Sequence, residues 1–235
     1  TRVSFEVGMY ELGGYALFLS DRDLQIGRGE PITDTVRVLS RYLDGIMIRT
    51  FAQQDVEALA KYGSIPIING LTDYCHPCQV LADLMTIREY KGSLKGLKLC
   101  FVGGITMGME VSIACPDTYR PDENVVAWAN ESGKLTVTSD LKKAAEGADV
   151  IYTDVWASMG QESERAEREK VFRSYCVDAD LMSVAKPDAM VMHCLPAHRG
   201  EEITDEVFEA HAAEIFDEAE NRLHAQKAVL AKLLK

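Results

Sequence analysis

Three observations predict an α/β fold of two parallel-sheet domains with the active site in the cleft between them. Short apolar runs of strand length recur along the chain, amphipathic stretches of helix length separate them, and clusters rich in His, Cys, Asp and Arg follow directly on several of the runs. Strands that alternate with helices build βαβ units. Parallel sheets of that kind present ligands at the carboxyl ends of their strands, where these polar clusters fall.

The chain opens on a helical pattern carried by Val3, Val7 and Tyr10. Strand-like runs are read at residues 16–19, 45–48, 66–68, 97–102, 111–115, 150–152 and 189–192. Helices are expected over residues 33–43, 55–62, 79–90, 124–130, 162–173 and 178–185. A long closing helix is expected over residues 218–234, with Leu223, Val229, Leu230, Leu233 and Leu234 as its apolar stripe. The Gly- and Lys-rich segment 91–96 marks the boundary between the halves, giving domains 1–90 and 91–217 and a helix 218–235 that returns to the first.

One spacing breaks the pattern. Only residues 103–110 separate the runs 97–102 and 111–115, whereas a parallel crossover with its helix needs at least about 10–12 residues. The two runs therefore form a hairpin, or a crossover helix is missing between them. The first half also opens without a preceding strand, so a segment is expected before Thr1.

Composition narrows the partners. With 235 residues, 47% of them hydrophobic, the chain can build a substantial core. A net charge of −12 argues against nucleic acid and against anionic membranes, so any anion must be gripped by a local arginine cluster. No apolar run approaches the ~20 residues of a membrane span, and the opening residues lack a basic segment followed by an apolar one; a cytoplasmic location is expected. The six cysteines are scattered in apolar or helical contexts, so reduced thiols are expected, with Cys100, Cys115 and Cys176 as core residues.

Three clusters carry chemistry. His76-Pro77-Cys78-Gln79 opens a helix after the run 66–68, where first-turn amides and the helix dipole suit an anion or a carbonyl. His193-Cys194-Leu195-Pro196 follows the apolar run 189–192, which places a thiol at a strand's carboxyl end. Asp154-Val155-Trp156-Ala157-Ser158-Met159-Gly160 follows the run 150–152 and joins a carboxylate for an ammonium to a turn able to close over a ligand. Arg2, Arg49 and Arg222 come from distant segments, and guanidinium groups converging in this way make a specific oxyanion pocket.

Together these stretches resemble the ornithine carbamoyltransferase family over nearly the whole chain. Thr1-Arg2 before Val3-Ser4-Phe5-Glu6 is similar to the end of the family's Ser-Thr-Arg-Thr-Arg phosphate motif. Gln25, in Asp23-Leu24-Gln25-Ile26-Gly27-Arg28-Gly29-Glu30, resembles the glutamine that reaches carbamoyl phosphate from a neighbouring subunit. The resemblance implies that Thr1, Arg2, Gln25, Arg49, His76, Gln79, Cys194, Leu195 and Arg222 bind carbamoyl phosphate. It implies that Asp154, Ser158, Met159, Cys194 and Leu195 bind ornithine. Catalytic roles are implied for Cys194, His76 and Arg49, with Cys194 positioning the amine and helping to deprotonate it. The Cys-Leu-Pro and Ser-Met-Gly motifs favour ornithine over aspartate. Two departures are clear: the first part of the phosphate motif is absent, and Phe101-Val102-Gly103 runs into Gly104-Ile105-Thr106 where the family has a Gly-Asn-Asn loop.

The activity so implied is transfer of the carbamoyl group of carbamoyl phosphate to the δ-amine of L-ornithine, in arginine biosynthesis or, reversed, in arginine degradation. It requires neither metal nor organic cofactor, and a homotrimer with shared sites is expected. A close alternative is a carbamoyltransferase for putrescine or a modified ornithine. A thiol redox or zinc protein on Cys75 and Cys78 lacks a second cysteine pair at ligand spacing, and a dinucleotide site at residues 102–104 lacks the G-x-G-x-x-G fingerprint.

Overall fold

The computed structural model describes residues 1–20, 29–102, 109–157 and 162–234. The chain divides into two compact units, residues 1–82 with 220–235, and residues 83–219. Both divisions fall inside helices, α4 (Pro77–Lys91) and α10 (Ala212–Leu233), rather than at the Gly- and Lys-rich segment 91–96.

In the first unit, α1 (Arg2–Glu11) buries Phe5 and Gly8, and the last helix approaches Gly8 so closely that a Cβ there would stand 3.1 Å from Lys227 Cγ. After α2 (Ile32–Leu39), strands β1 (Ile46–Arg49) and β2 (Ile67–Leu71) pair in parallel, linked by α3 (Gln53–Tyr62). Their register slips between Ile48 and Arg49, so Arg49 emerges at the strand's carboxyl end opposite Leu71. Phe5, Ile68, Cys78 and Leu230 form the core, with Met9, Met47, Val229 and Leu234 against it.

The second unit holds five parallel strands, β3 (Lys98–Val102), β4 (Glu110–Ala114), β5 (Lys134–Thr138), β6 (Val150–Thr153) and β7 (Met190–His193), in the order β5-β4-β3-β6-β7. Every residue of β6 and β7 is buried, as befits strands covered on both faces. The period-two alternation sorts them. Cys100, Ile151 and Val191 face one core with alanines of α6 (Leu141–Ala145), Leu181 of α8 (Ala179–Met182), and Val207 and Phe208 of α9 (Asp205–Ala210). Leu99, Val150, Tyr152, Met190 and Met192 face another with Ile87 of α4 and Ala129 of α5 (Glu123–Ser132). Asp122, Asp140, Asp178 and Thr204 cap α5, α6, α8 and α9 through their side chains, satisfying amides that no helical carbonyl reaches.

Four sequence expectations are corrected. Residues 16–19 form no strand; Leu17 and Phe18 stand exposed, and the Phe18 ring serves as a platform 3.7 Å from the Arg2 guanidinium carbon. β3 and β4 pair in parallel, which excludes the hairpin. β5, α6 and α9 were not foreseen, because the alternating Lys134-Leu135-Thr136-Val137-Thr138 reads as polar and the two helices are short. The last helix starts at Ala212 rather than at residue 218, since Ile215 already belongs to its buried face. A further α-helix among the described residues of this unit is α7 (Arg165–Phe172).

Candidate active site

In the first unit, a tight turn carries the chain from β2 to α4: Thr72 N–H donates to the Cys75 carbonyl (3.0 Å) and Cys75 N–H to Thr72 Oγ1 (3.2 Å). His76 then precedes α4, whose first residue is Pro77, and the His76 carbonyl accepts from Gln79 N–H (3.0 Å). This brings Gln79 to Arg222 of α10, which donates to Gln79 Oε1. Arg222 Nη2 also donates to Thr1 Oγ1 (3.0 Å), and the same oxygen accepts from Arg49 Nη1 (3.3 Å). Gln226, fully buried one turn further along, completes the seat of Arg222. With its amide oxygen turned to the guanidinium it accepts from Nη2 (3.0 Å) and Nε (3.2 Å), while its nitrogen reaches Ser4 Oγ.

Electrostatics follow from this crowding of cations. Burial, then the charges of Arg222 and Arg49, push the His76 imidazole down to about 3, so it stands neutral at physiological pH. Burial and Arg222 lower Arg49 as well. His76 Nδ1 is buried and meets no hydrogen-bond partner among the described residues. Two guanidinium groups and a neutral imidazole gathered in this way suit a doubly charged phosphate ester and its carbonyl. Of the residues expected here, Thr1, Arg49, His76, Gln79 and Arg222 come together. Arg2 does not join them: its guanidinium pairs with Glu6 (2.8 Å) and stacks on Phe18. Gln25 lies outside the described residues.

Cys75 and Cys78 are free thiols with separate partners. Cys75 is exposed beside Asn69 Nδ2 (3.3 Å), whereas Cys78 is buried and donates to the Asn69 carbonyl (3.4 Å). Burial raises the Cys78 thiol above its ordinary range, opposite to what a reactive redox cysteine needs.

In the second unit the strand order reverses between β3 and β6, the place where open α/β sheets bind ligands. Asp154 follows β6 and Cys194 follows β7, and the two meet: the Cys194 thiol donates to Asp154 Oδ1 (3.1 Å), which also accepts from Val155 N–H (2.7 Å). Burial, then the Asp154 charge and this hydrogen bond, hold the thiol far above its usual range, so Cys194 keeps its proton. Leu195 takes φ 55, a left-handed value that a branched residue adopts only under constraint. The constraint is its own N–H, donated to His193 Nδ1 (2.9 Å). That bond fixes the imidazole tautomer, leaving Nε2 to donate to the fully buried Glu202 (3.1 Å), whose Oε1 also accepts from His198 N–H (2.5 Å). Asp154, His193 and Cys194 lie within metal-ligating reach of one another, but both imidazole nitrogens are committed to these bonds. Ser158 and Met159 lie outside the described residues.

Sequence reading missed Glu202, Glu218, Asp83, Tyr152 and Gln226. Their signal was available: Glu218 falls on the same helical face as Ile215, and Gln226 beside Ala225, so each is a polar residue on a stripe that otherwise buries apolar ones.

Comparison with known proteins agrees with this two-part chemistry. Residues 1–89 match the family model "Aspartate/ornithine carbamoyltransferase, carbamoyl-P binding domain", and residues 97–233 match "Aspartate/ornithine carbamoyltransferase, Asp/Orn binding domain". The ornithine carbamoyltransferase of Pyrococcus abyssi is 56% identical over 251 aligned positions, covering 100% of this chain and 79% of that protein. That of Geobacter metallireducens is 53% identical over 249 positions, covering 100% and 82%. Both alignments are longer than the 235 residues of this chain, so the relatives carry residues that it lacks. The solved ornithine carbamoyltransferase of Pyrococcus furiosus superposes with a TM-score of 0.91 at 54% identity, over 99% of this chain and 80% of that one. A cation-lined half and a half built on Asp154 and Cys194 thus sit within the two matched domains, and the chain belongs to the aspartate/ornithine carbamoyltransferase family.

Proposed function

We propose that this chain is an ornithine carbamoyltransferase, acting in the cytoplasm as a homotrimer and converting carbamoyl phosphate and L-ornithine to L-citrulline and phosphate. The observation that carries this reading is the Asp154–Cys194 pair at the carboxyl ends of β6 and β7: a carboxylate with a protonated thiol beside it, suited to an ammonium and not to an anion. No described helix is long and apolar enough to cross a membrane.

Arg49 and Arg222 hold the phosphate of the donor and stabilise it as a leaving group. Neutral His76 donates to the carbonyl oxygen as negative charge develops there. Since Leu195 N–H is committed to His193, the turn offers the carbamoyl NH2 its carbonyls at Cys194 and Leu195. The ornithine δ-ammonium first loses one proton to solvent, the amine nitrogen bonds to the carbamoyl carbon, the carbon–oxygen bond to phosphate breaks, and the second proton shed by that nitrogen ends on the departing phosphate. The protonated Cys194 cannot accept it. The expected role of Cys194 in deprotonation therefore gives way to one in positioning: the thiol orients Asp154, and Asp154 holds the α-ammonium of ornithine. Gln25 of a neighbouring subunit, with Ser158 and Met159, completes the site in this reading.

The test is citrulline formation from carbamoyl phosphate with ornithine, putrescine and aspartate compared side by side. It uses this chain and a second one whose 103–108 connection is lengthened by a helix-bearing crossover. Ornithine is expected to lead by about 10²-fold or more in kcat/KM, since putrescine lacks the α-carboxylate and aspartate lacks the δ-amine that a site built for ornithine pairs. Equal or better use of putrescine or aspartate by both chains contradicts the reading.

A further inference from the structure

Beneath the Cys194 turn lies a second pair of acids that the reaction as described does not use. Glu218 of α10 is fully buried and Asp83 of α4 nearly so. Glu218 Oε2 accepts from His193 N–H (2.9 Å), the residue before Cys194, and its Oε1 accepts from the Tyr152 hydroxyl (3.2 Å) on β6. The Glu218 carboxyl is also hydrogen-bonded to that of Asp83. Two carboxylates cannot bond to each other without a proton between them, and the low dielectric around this pair makes a double negative charge costly.

We propose that Asp83 and Glu218 share one buried proton and act as positioning residues for the Cys194 turn, holding β6 and β7 in the alignment that lets the thiol meet Asp154. This rests on the ornithine-side role given to Cys194 above. The geometry makes Glu218 a clamp: one oxygen on the β7 backbone, the other on the β6 tyrosine, and a third bond to α4. The titratable groups that face it are Asp83 from α4, Tyr152 from β6 and Cys194 beyond β7, none of them a cation. On its own helix, Glu214 accepts from Val191 N–H (2.8 Å), gripping β7 one period earlier. Burial and the Asp83 charge both push the Glu218 carboxyl well above the usual range, which supports a proton retained at neutral pH. Loss of that proton at high pH places a second negative charge under the turn. The consequence falls on the acceptor side, since the arginines that hold phosphate belong to the other unit.

The pair is tested by three variants, Glu218→Gln, Asp83→Asn and Glu218→Ala. Infrared difference spectroscopy between neutral and alkaline pH is expected to show a protonated carboxyl stretch in the unaltered protein that either isosteric variant removes. This readout does not depend on which acceptor is used, so it separates failure of the shared proton from failure of the ornithine assignment. Glu218→Gln supplies a permanent N–H donor to Asp83, so turnover should stay within a few-fold while the alkaline decline in kcat moves up or disappears. Glu218→Ala should raise the KM for ornithine and lower kcat by about 10-fold or more, with carbamoyl phosphate affinity within two-fold. Absence of a protonated carboxyl in the unaltered protein overturns the proposal, as does a Glu218→Gln pH profile that matches it. Should the alanine variant fail to fold, the two isosteric variants decide alone.

Discussion

The two half-sites solve opposite electrostatic problems on one acidic protein. In residues 1–82 and 220–235, guanidinium groups are seated on neutral oxygens: Arg222 on Gln79, Thr1 and Gln226, and Arg49 on Thr1. Other arginines are partnered by carboxylates, as Arg120 is by Asp117 and Arg165 by Glu169 and Glu201. In residues 83–219 the logic reverses. Anionic groups are kept from accumulating charge by protons retained on Cys194 and between Asp83 and Glu218, leaving Asp154 as the carboxylate presented to a ligand. A net charge of −12 therefore says little about what the protein binds; the neutral oxygens that seat Arg222 say more.

The largest expected effect breaks the first half. Arg222→Gln removes a guanidinium that makes charge-assisted bonds worth about 1.5–3 kcal/mol each, so carbamoyl phosphate affinity should fall about 10²–10³-fold in calorimetric titration. Replacing Arg2, which is paired with Glu6, tests the comparison from the other side: in the ligand-free arrangement its contribution should be far smaller than that of Arg222.

Cys194→Ala comes next. Loss of a donor to a carboxylate should lower turnover about 10–100-fold and leave carbamoyl phosphate affinity nearly unchanged. A rate gain with rising pH in the unaltered enzyme, as the thiol ionised near neutrality, that Cys194→Ala abolished would favour a thiolate base over a positioning thiol.

His76 supplies a pH test. A base whose folded pKa is depressed from 6.5 to about 3 binds fewer protons folded than unfolded between those values. Its contribution to stability is then intact above pH 6.5 and is lost as pH falls toward 3. The His76 ring resonances of ligand-free protein should show no titration between pH 8 and 5, and His76→Gln should flatten the acid side of the stability profile. A midpoint near 6.5 would mean that the ring is neither buried nor crowded by the guanidinium groups.

How much of this was legible in the sequence depends on the kind of residue. Arg49, His76, Gln79, Asp154, Cys194 and Leu195 follow strands or open helices, and α/β topology places such positions at a ligand. Arg222 was singled out as one of three arginines from distant segments, but its partners were not legible, because nothing local says that a residue inside a long helix meets the first residue of the chain. Glu202, Glu218 and Gln226 were missed for a related reason: a buried polar side chain is defined by partners far away in sequence, here His193, Tyr152 and Arg222. The fold was read through its strands, and failed where apolar content misled, as at residues 16–19, or where an alternating strand carried too many polar residues, as in β5.

The smallest expected effect concerns Cys75. Exposed and remote from the Arg222 cluster's hydrogen bonds, it should tolerate Ser with turnover within a few-fold, and reducing agent should leave activity unchanged.

The most direct test of the division of labour is calorimetric titration of carbamoyl phosphate into Arg222→Gln and Asp154→Asn side by side, with citrulline turnover measured on both. The account predicts that Arg222→Gln loses carbamoyl phosphate binding, whereas Asp154→Asn binds it within two-fold of the unaltered protein yet loses turnover by about 10²-fold or more. Equal loss of carbamoyl phosphate affinity in the two variants would contradict it.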